Sequence, residues 1–325
     1  MAGTQTTTHP AQAWSGTGQL RHPARRIVSL LPSATEIVCA LGSRTELVGR
    51  SHECDFPPGI EEVPVLTSAR IGPLPSSRAI DAAVRDVLRD ALAIYQIDLE
   101  ALRKARADLI VTQDLCEVCA VSLDEVRSAV ARLAQKDVAI VNLHPMRLED
   151  IWADLARVAE GIGRAGIGIR LVGELRARVA EIARRAAALG RKPRVLTVEW
   201  MDPVMIGGMW MPELVALAGG LPLVTRPGEH APTLRPEDLA GLDPEVVVVK
   251  PCGFPLDRTL EELDVLRAAL PRSFRARVYA ADGNAYFNRP GPRIVESLEI
   301  LAACVHLEAF PDFARKHAGS FVEVL

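Results

Sequence analysis

One stretch of this chain limits its fold more than any other. Residues 148–189 contain almost only helix-period sequence, and on both sides short apolar runs alternate with helices. LEDIWADLARVAEGIG comes first, and RAGIGIRLVGELRARVAEIARRAAAL follows and ends at Gly190, a natural helix stop. About 25 helical residues extend close to 40 Å, enough to pass from one lobe to another. Before this stretch, RIVSLL (26–31), LVGRS (47–51), PVLT (64–67), ADLIVT (107–112) and AIVNL (139–143) are short, rich in Val, Ile and Leu, and without polar alternation. Parallel strands covered on both faces read this way. After it, RVLTVEW (194–200), PLV (222–224), EVVVVK (245–250) and RVYAA (277–281) repeat the pattern. LRKARADLIVTQ (102–113) also resembles LAGLDPEVVVVKP (239–251), each a short helix end running into a buried strand. The expected fold class is α/β: two Rossmann-like lobes, 26–147 and 191–325, joined by connecting helices over 148–190. Residues 1–25 are polar and read as a disordered tail. Ser33-Ala-Thr-Glu36 and Ser122-Leu-Asp-Glu125 match the capping box that opens a helix.

Composition removes several function classes. The 49% hydrophobic and 24% charged fractions are those of a soluble globular protein. A net charge of −3 lacks the basic excess of a nucleic-acid surface. No apolar run approaches the roughly 20 residues that span a bilayer. Six cysteines in 325 residues are too sparse for a disulfide scaffold. The start of the chain has neither the basic segment nor the apolar stretch of a signal peptide. Arg25-Arg26 imitates a twin-arginine signal, but Pro32 and Glu36 interrupt the apolar run after it. The expected location is cytoplasmic. Gly161-x-Gly163-x-x-Gly166 fits a dinucleotide fingerprint in letters only, because helical sequence rather than a strand precedes it.

Parallel α/β sheets bind ligands beyond the C-terminal ends of their strands, so the residues after each strand are the candidate site. They are Pro32 and Ser33; His52, Glu53 and Phe56; Asp114 and Leu115; His144; Glu199 and Trp200; and Tyr286, Phe287, Asn288 and Arg289. The aromatics suit stacking on a planar ligand, the histidines a metal, and Arg289 an anionic group. Cys54, Cys116, Cys119 and Cys252 also fall at strand ends, whereas Cys39 and Cys304 lie in helix-period runs. Thiolate with imidazole suits zinc, another thiophilic metal, or the iron or cobalt of a macrocycle. Packing of small buried thiols explains the same positions equally well. A thioredoxin-type dithiol fits poorly, since Ser122 places the helix start after both Cys116 and Cys119.

The segments RIVSLLPSATEIVCALG, LVGRSHECDFPP, LEALRKARADLIVTQ, VAIVNLHPMRLEDI, RVLTVEWMDP, LRPEDLAGLDPEVVVV and ARVYAADGNAYFNRPGPRIVESLEILA carry a resemblance. In this order, across roughly 26–305, the chain resembles the class III periplasmic binding proteins, and among them the vitamin B12 and siderophore-iron receptors of ABC importers. It is also similar to a leaderless subfamily that shares the CEVC and NRPG segments. The resemblance implies a class III substrate-binding-protein fold: two lobes, a rigid connecting helix, and a small-molecule ligand held between them. It implies cobalamin or another metal tetrapyrrole as that ligand. It also implies that Glu100 and Glu237 match the acids that dock onto an ABC permease. Two features depart from the receptor pattern: an added helix over 76–98, and the stretch TQDLCEVCAVS (112–122). The leading expectation is a cytoplasmic corrinoid-binding protein. The alternatives are a metal or metal-chelate protein using the cleft cysteines, and an enzyme recruited onto the scaffold with a thiolate-metal or Cys/His site.

Overall fold

The computed structural model of the chain describes residues 23–89, 95–115, 123–133, 138–271 and 274–324. The first lobe contains β1 (Ile27–Ser29), α1 (Pro32–Ala40), β2 (Leu47–Arg50), β3 (Thr67–Ala69), α2 (Ser77–Arg89) and β4 (Tyr95–Ile97). It continues through α3 (Leu99–Ala105), β5 (Leu109–Gln113), α4 (Leu123–Arg132) and β6 (Ala139–Leu143). Four strands form a parallel sheet in the order β2-β1-β5-β6, with Ile27 opposite Leu109 and Leu109 opposite Ala139. β3 and β4 pair antiparallel as a separate ribbon.

Two helices follow, α5 (Leu148–Gly161) and α6 (Ala165–Ala187). The break between them holds Gly163 in the left-handed region, at φ 70°, so the glycine run is a helix–helix turn and not a nucleotide loop. At 23 residues, α6 extends about 35 Å.

The second lobe contains β7 (Arg194–Met201), β8 (Val204–Ile206), α7 (Met211–Leu217), β9 (Leu221–Pro222), α8 (Pro236–Ala240) and β10 (Val246–Val249). α9 (Leu256–Glu261), α10 (Leu263–Ala269), β11 (Arg277–Ala281), α11 (Ile294–Val305), α12 (Pro311–Lys316) and β12 (Phe321–Glu323) complete it. Its sheet runs β12-β11-β10-β7-β8, with β9 also on β7. β7, β10 and β11 are parallel, while β8 and β12 are antiparallel.

Each sheet buries both faces, which is why its central strands carry unbroken apolar runs. One face of each lobe has its own cluster, around Val28, Ile110 and Ile140 in the first and Leu196, Val247 and Val249 in the second. The other faces share a single cluster. It runs from Ile27 and Val141 through Trp152, Leu175 and Val179 to Leu214, Val248 and Leu301. The connecting helices are therefore part of both cores, and burial of apolar surface resists any bend between the lobes.

Two expectations about helix starts need correction or fall outside the described residues. Ser33 does not cap α1: it lies inside the helix, its hydroxyl has no hydrogen-bond partner, and Glu36 points to arginines of the other lobe. Ser122 lies outside the described residues.

Candidate functional site

Segments that follow the parallel strands of the two sheets meet across the lobes, through Asp55 with Arg289 and Arg78 with Asp202. On the first lobe, β5 and β6 carry Asp114 and His144 side by side, since Gln113 and Leu143 are paired directly before them. His144 Nδ1 lies 2.6 Å from Asp114 Oδ1, and the two side chains are 54% and 38% exposed. The backbone locks this arrangement, because Asp114 N–H donates to Leu143 O at 3.3 Å. With Nδ1 beside a carboxylate, a ligating role would fall to Nε2, the arrangement found behind metal-binding histidines. Leu115 is half-buried and packs against the shared core.

Two strands away, His52 follows β2. Its Nδ1 is 2.8 Å from Thr67 Oγ1, its Nε2 is 3.2 Å from Glu53 Oε1, and its ring edge meets Tyr95 with centroids 5.0 Å apart. His52 holds the Glu53 carboxyl below the ordinary carboxylate range, against the opposing effect of burial. His52 is thus held to its own lobe through Nδ1 and the edge of its ring, as His144 is held through Nδ1.

On the second lobe, Glu199 and Trp200 sit near the end of β7, and Lys250 and Cys252 follow β10. Lys250 is 1% exposed, and its Nζ donates to Glu199 Oε2 at 2.9 Å. Cys252 N–H donates to Glu199 O at 3.0 Å, which ties the two strand-end loops together. Trp200 meets Phe254 edge-on at 5.3 Å, and its indole Nε1 is buried without a hydrogen-bond partner.

A third group joins the lobes. Arg293 donates to Glu36 from Nε at 2.9 Å and Nη2 at 2.6 Å, and stacks over the Phe56 ring at 3.9 Å. Arg289 pairs with Glu36 at 3.4 Å and with Asp55, one of whose bonds is 2.9 Å, and also binds Asn284 Oδ1 at 3.0 Å. Burial raises the Asp55 carboxyl, but Arg289's hydrogen bonds and charge outweigh it, so the pKa lies below the ordinary value. Asn288 donates from Nδ2 to Gly283 O at 2.8 Å and shapes the turn that delivers Arg289.

Several sequence expectations change here. Arg289 is 3% exposed and saturated by protein carboxylates, so it is a strut between lobes and not an anion receptor. Phe287 is fully buried in the shared core and offers no face to a ligand. Tyr286 is half-buried against that core, its ring meeting His317 edge-on at 5.9 Å. Cys54 is 2% exposed, accepts from Thr35 Oγ1 at 3.1 Å, and burial pushes its thiol up to about 11, as in a packed thiol. Burial likewise raises Cys39, to about 11, and Cys304. Cys116 and Cys119 lie outside the described residues. Among the described residues, no group of three His, Cys, Asp or Glu is placed to hold a metal ion on protein ligands alone. Pro32 is half-buried at the start of α1, beside the orphaned Ser33 hydroxyl.

Glu100 and Glu237 are each the second residue of a short helix, α3 and α8, that runs into a central strand. Both are exposed, Glu100 pairing with Arg103 at 2.6 Å and Glu237 with Arg235 at 3.1 Å. Among the described residues, no helix is long and apolar enough to cross a membrane.

No family model matches the chain. A vitamin B12-binding protein of Vibrio cholerae is 22% identical over 299 residues, covering 88% of this chain and 90% of that protein. Among solved structures, a periplasmic heme-binding protein from Pseudomonas aeruginosa superposes with a TM-score of 0.64 at 21% identity, over 88% of this chain and 94% of that one. A periplasmic heme-binding protein from Roseiflexus sp. RS-1, in its apo form, gives 0.64 at 23% identity over 90% and 99%. The periplasmic vitamin B12-binding protein of Vibrio cholerae gives 0.62 at 20% identity over 88% and 98%.

Proposed function

We propose that this chain, which has the fold of the class III periplasmic binding proteins, is a tetrapyrrole-binding protein that holds a corrinoid in its inter-lobe cleft. The observation that carries the reading is the Asp114–His144 pair on the ends of β5 and β6: a carboxylate-anchored, half-exposed imidazole that presents Nε2 to a metal. Trp200 and the edge of Phe254 supply apolar surface on the opposite wall. When bound, the macrocycle would bring its own metal.

Charge supports a corrinoid over a haem. Six basic side chains on the described rim loops already face carboxylates: Lys250 with Glu199, Arg78 with Asp202, Arg147 with Glu213, Arg258 with Glu262, Arg289 with Asp55 and Arg293 with Glu36, while Arg70 is exposed between β3 and α2. Haem propionates that drew on Lys250 or Arg289 would have to break a buried pair, at a cost of about 3–5 kcal/mol, whereas the exposed Arg78 and Arg147 pairs would yield more easily. Corrin side chains are mostly neutral amides, which can donate to Glu53, Asp114 and Glu199.

The test is an absorbance titration of purified protein with aquocobalamin and with haemin. The corrinoid should bind the more tightly and shift its visible bands on imidazole ligation. His144→Ala should abolish the shift, and Asp114→Asn should weaken binding about 10–100-fold. Absence of binding to either pigment overturns the proposal. A band shift that survives His144→Ala removes the histidine from it. The matched acids Glu100 and Glu237 support docking onto a basic partner such as an ABC permease; charge reversal at both should abolish capture of that partner.

A further inference from the structure

The chain between β3 and β4 is rooted in the first lobe, yet its middle is bound to the second. At the root, Arg50 bridges Val65, Asp98 N–H donates to Leu66 O at 2.9 Å, and β3 pairs with β4 from Thr67–Ile97 to Ala69–Tyr95. At the far end, Ser77 N–H donates to both oxygens of Glu262, at 2.8 and 3.1 Å. Arg258 Nη2 bridges Glu262 Oε1 at 2.6 Å and Pro75 O at 2.7 Å. Arg78 donates to Asp202 at 2.7 and 3.3 Å, and Ile80 packs against the second-lobe cluster that also takes in Trp200 and Phe254.

The path of this arm follows from sheet order. The β2 side of the first lobe meets the β11 side of the second through Asp55, Asn284 and Arg289. The arm leaves from beside β2, but its tip lies at Asp202, the turn between β7 and β8. That is two to three strands further along the β11-β10-β7-β8 order, about 10–14 Å across the sheet. Asp202 and the α9–α10 residues all follow C-terminal strand ends, so the arm crosses on the side where the cleft opens. We infer that the segment from β3 through α2 is a gate across the cleft mouth, which must undock from the second lobe before a ligand of macrocycle size enters or leaves.

The fastenings suit a gate. Ser77 and Glu262 are buried, at 0% and 5% exposure, so the arm has one defined seat. Among the described residues the remaining attachments are light: the Arg258 bond to Pro75 O, one apolar anchor, Ile80, and an Arg78 side chain that is 79% exposed and open to screening. The connecting helices, by contrast, lie within the core shared by both lobes. Segments with few buried apolar contacts open at far lower cost than the core.

This inference rests on the corrinoid reading and is tested beside it by stopped-flow loading of aquocobalamin and its displacement by excess cyanocobalamin. Ile80→Asp should raise both rates about tenfold or more, since the anchor's burial energy is lost, while the equilibrium affinity changes far less than either rate. Arg78→Ala removes only an exposed pair and should raise both rates about two- to threefold, a readout that remains if Ile80→Asp fails to fold. If wild-type protein binds aquocobalamin and the folded variants load and release at wild-type rates, the gate is overturned and the binding reading stands. Faster release with unchanged loading would make the arm a contact surface, and also overturns the gate. If the wild type binds no corrinoid, the binding reading falls and the gate with it.

Discussion

Glu299 concentrates more charge chemistry than any single residue of the cleft. It is 5% exposed on α11, and its carboxylate accepts from Lys316 Nζ at 2.6 Å, His317 Nε2 at 2.7 Å and Arg178 at 3.0 Å. Burial alone raises its pKa, but the hydrogen bonds from His317, Lys316 and Arg178 and the Lys316 charge outweigh burial and hold it at about 2, below the ordinary 4.5. A carboxyl lowered in the folded state stabilises fully above its unfolded value and loses that contribution as pH falls through the folded one. The stabilisation is therefore complete above about pH 4.5 and drains away toward pH 2. Glu299→Gln should cost about 3 kcal/mol at pH 7 in urea unfolding, and the gap to wild type should narrow at pH 3. An equal gap at both pH values would contradict this account. Glu36 and Arg289 illustrate why such roles escape a sequence reading. Glu36 looked like the end of a capping box and Arg289 like an anion receptor, yet they bind one another across 253 residues of chain. No local pattern encodes a partner at that distance.

At the scale of elements, local sequence went further. The apolar runs at 107–112, 139–143, 245–250 and 277–281 coincide with β5, β6, β10 and β11, because strands buried on both faces need continuous apolar sequence. β4, β8 and β12 were not legible: each has three residues, pairs antiparallel, and is seated by contacts of its neighbours instead of its own hydrophobicity. The π turn Gly283–Phe287 also escaped notice, although it delivers Asn284 and Arg289 to the seam. A Cβ at Gly283 would lie 2.0 Å from Pro251 O and 2.7 Å from Lys250 C. These are backbone atoms with little room to yield. Gly283→Ala should thus lower stability by about 1–3 kcal/mol and loosen the Arg289 contacts, seen as a lower melting temperature. An unchanged melting temperature would show that the turn tolerates displacement.

The whole molecule is governed by how firmly its lobes are joined. The shared apolar cluster and the Glu36–Arg289–Arg293 group bind both lobes into one unit, so the wild type should unfold in one cooperative transition. Glu36→Ala leaves Arg293 without its carboxylate and Arg289 with Asp55 alone, at a cost of about 3 kcal/mol. Calorimetry of that variant should resolve two transitions in place of one. A single sharp transition at the wild-type temperature would mean that the apolar cluster alone couples the lobes. Sequence by itself determined the two α/β lobes, the helical connection and the strand ends on which a site could be built, since each depends on periodicity within a short window. Only the tertiary structure decided that His144 is anchored by Asp114, that Cys54 and Phe287 are buried, that Arg289 pairs between the lobes, and that the helix over 76–98 reaches the opposite lobe. Those outcomes depend on burial and on pairings between residues far apart in the chain, which a linear pattern does not carry.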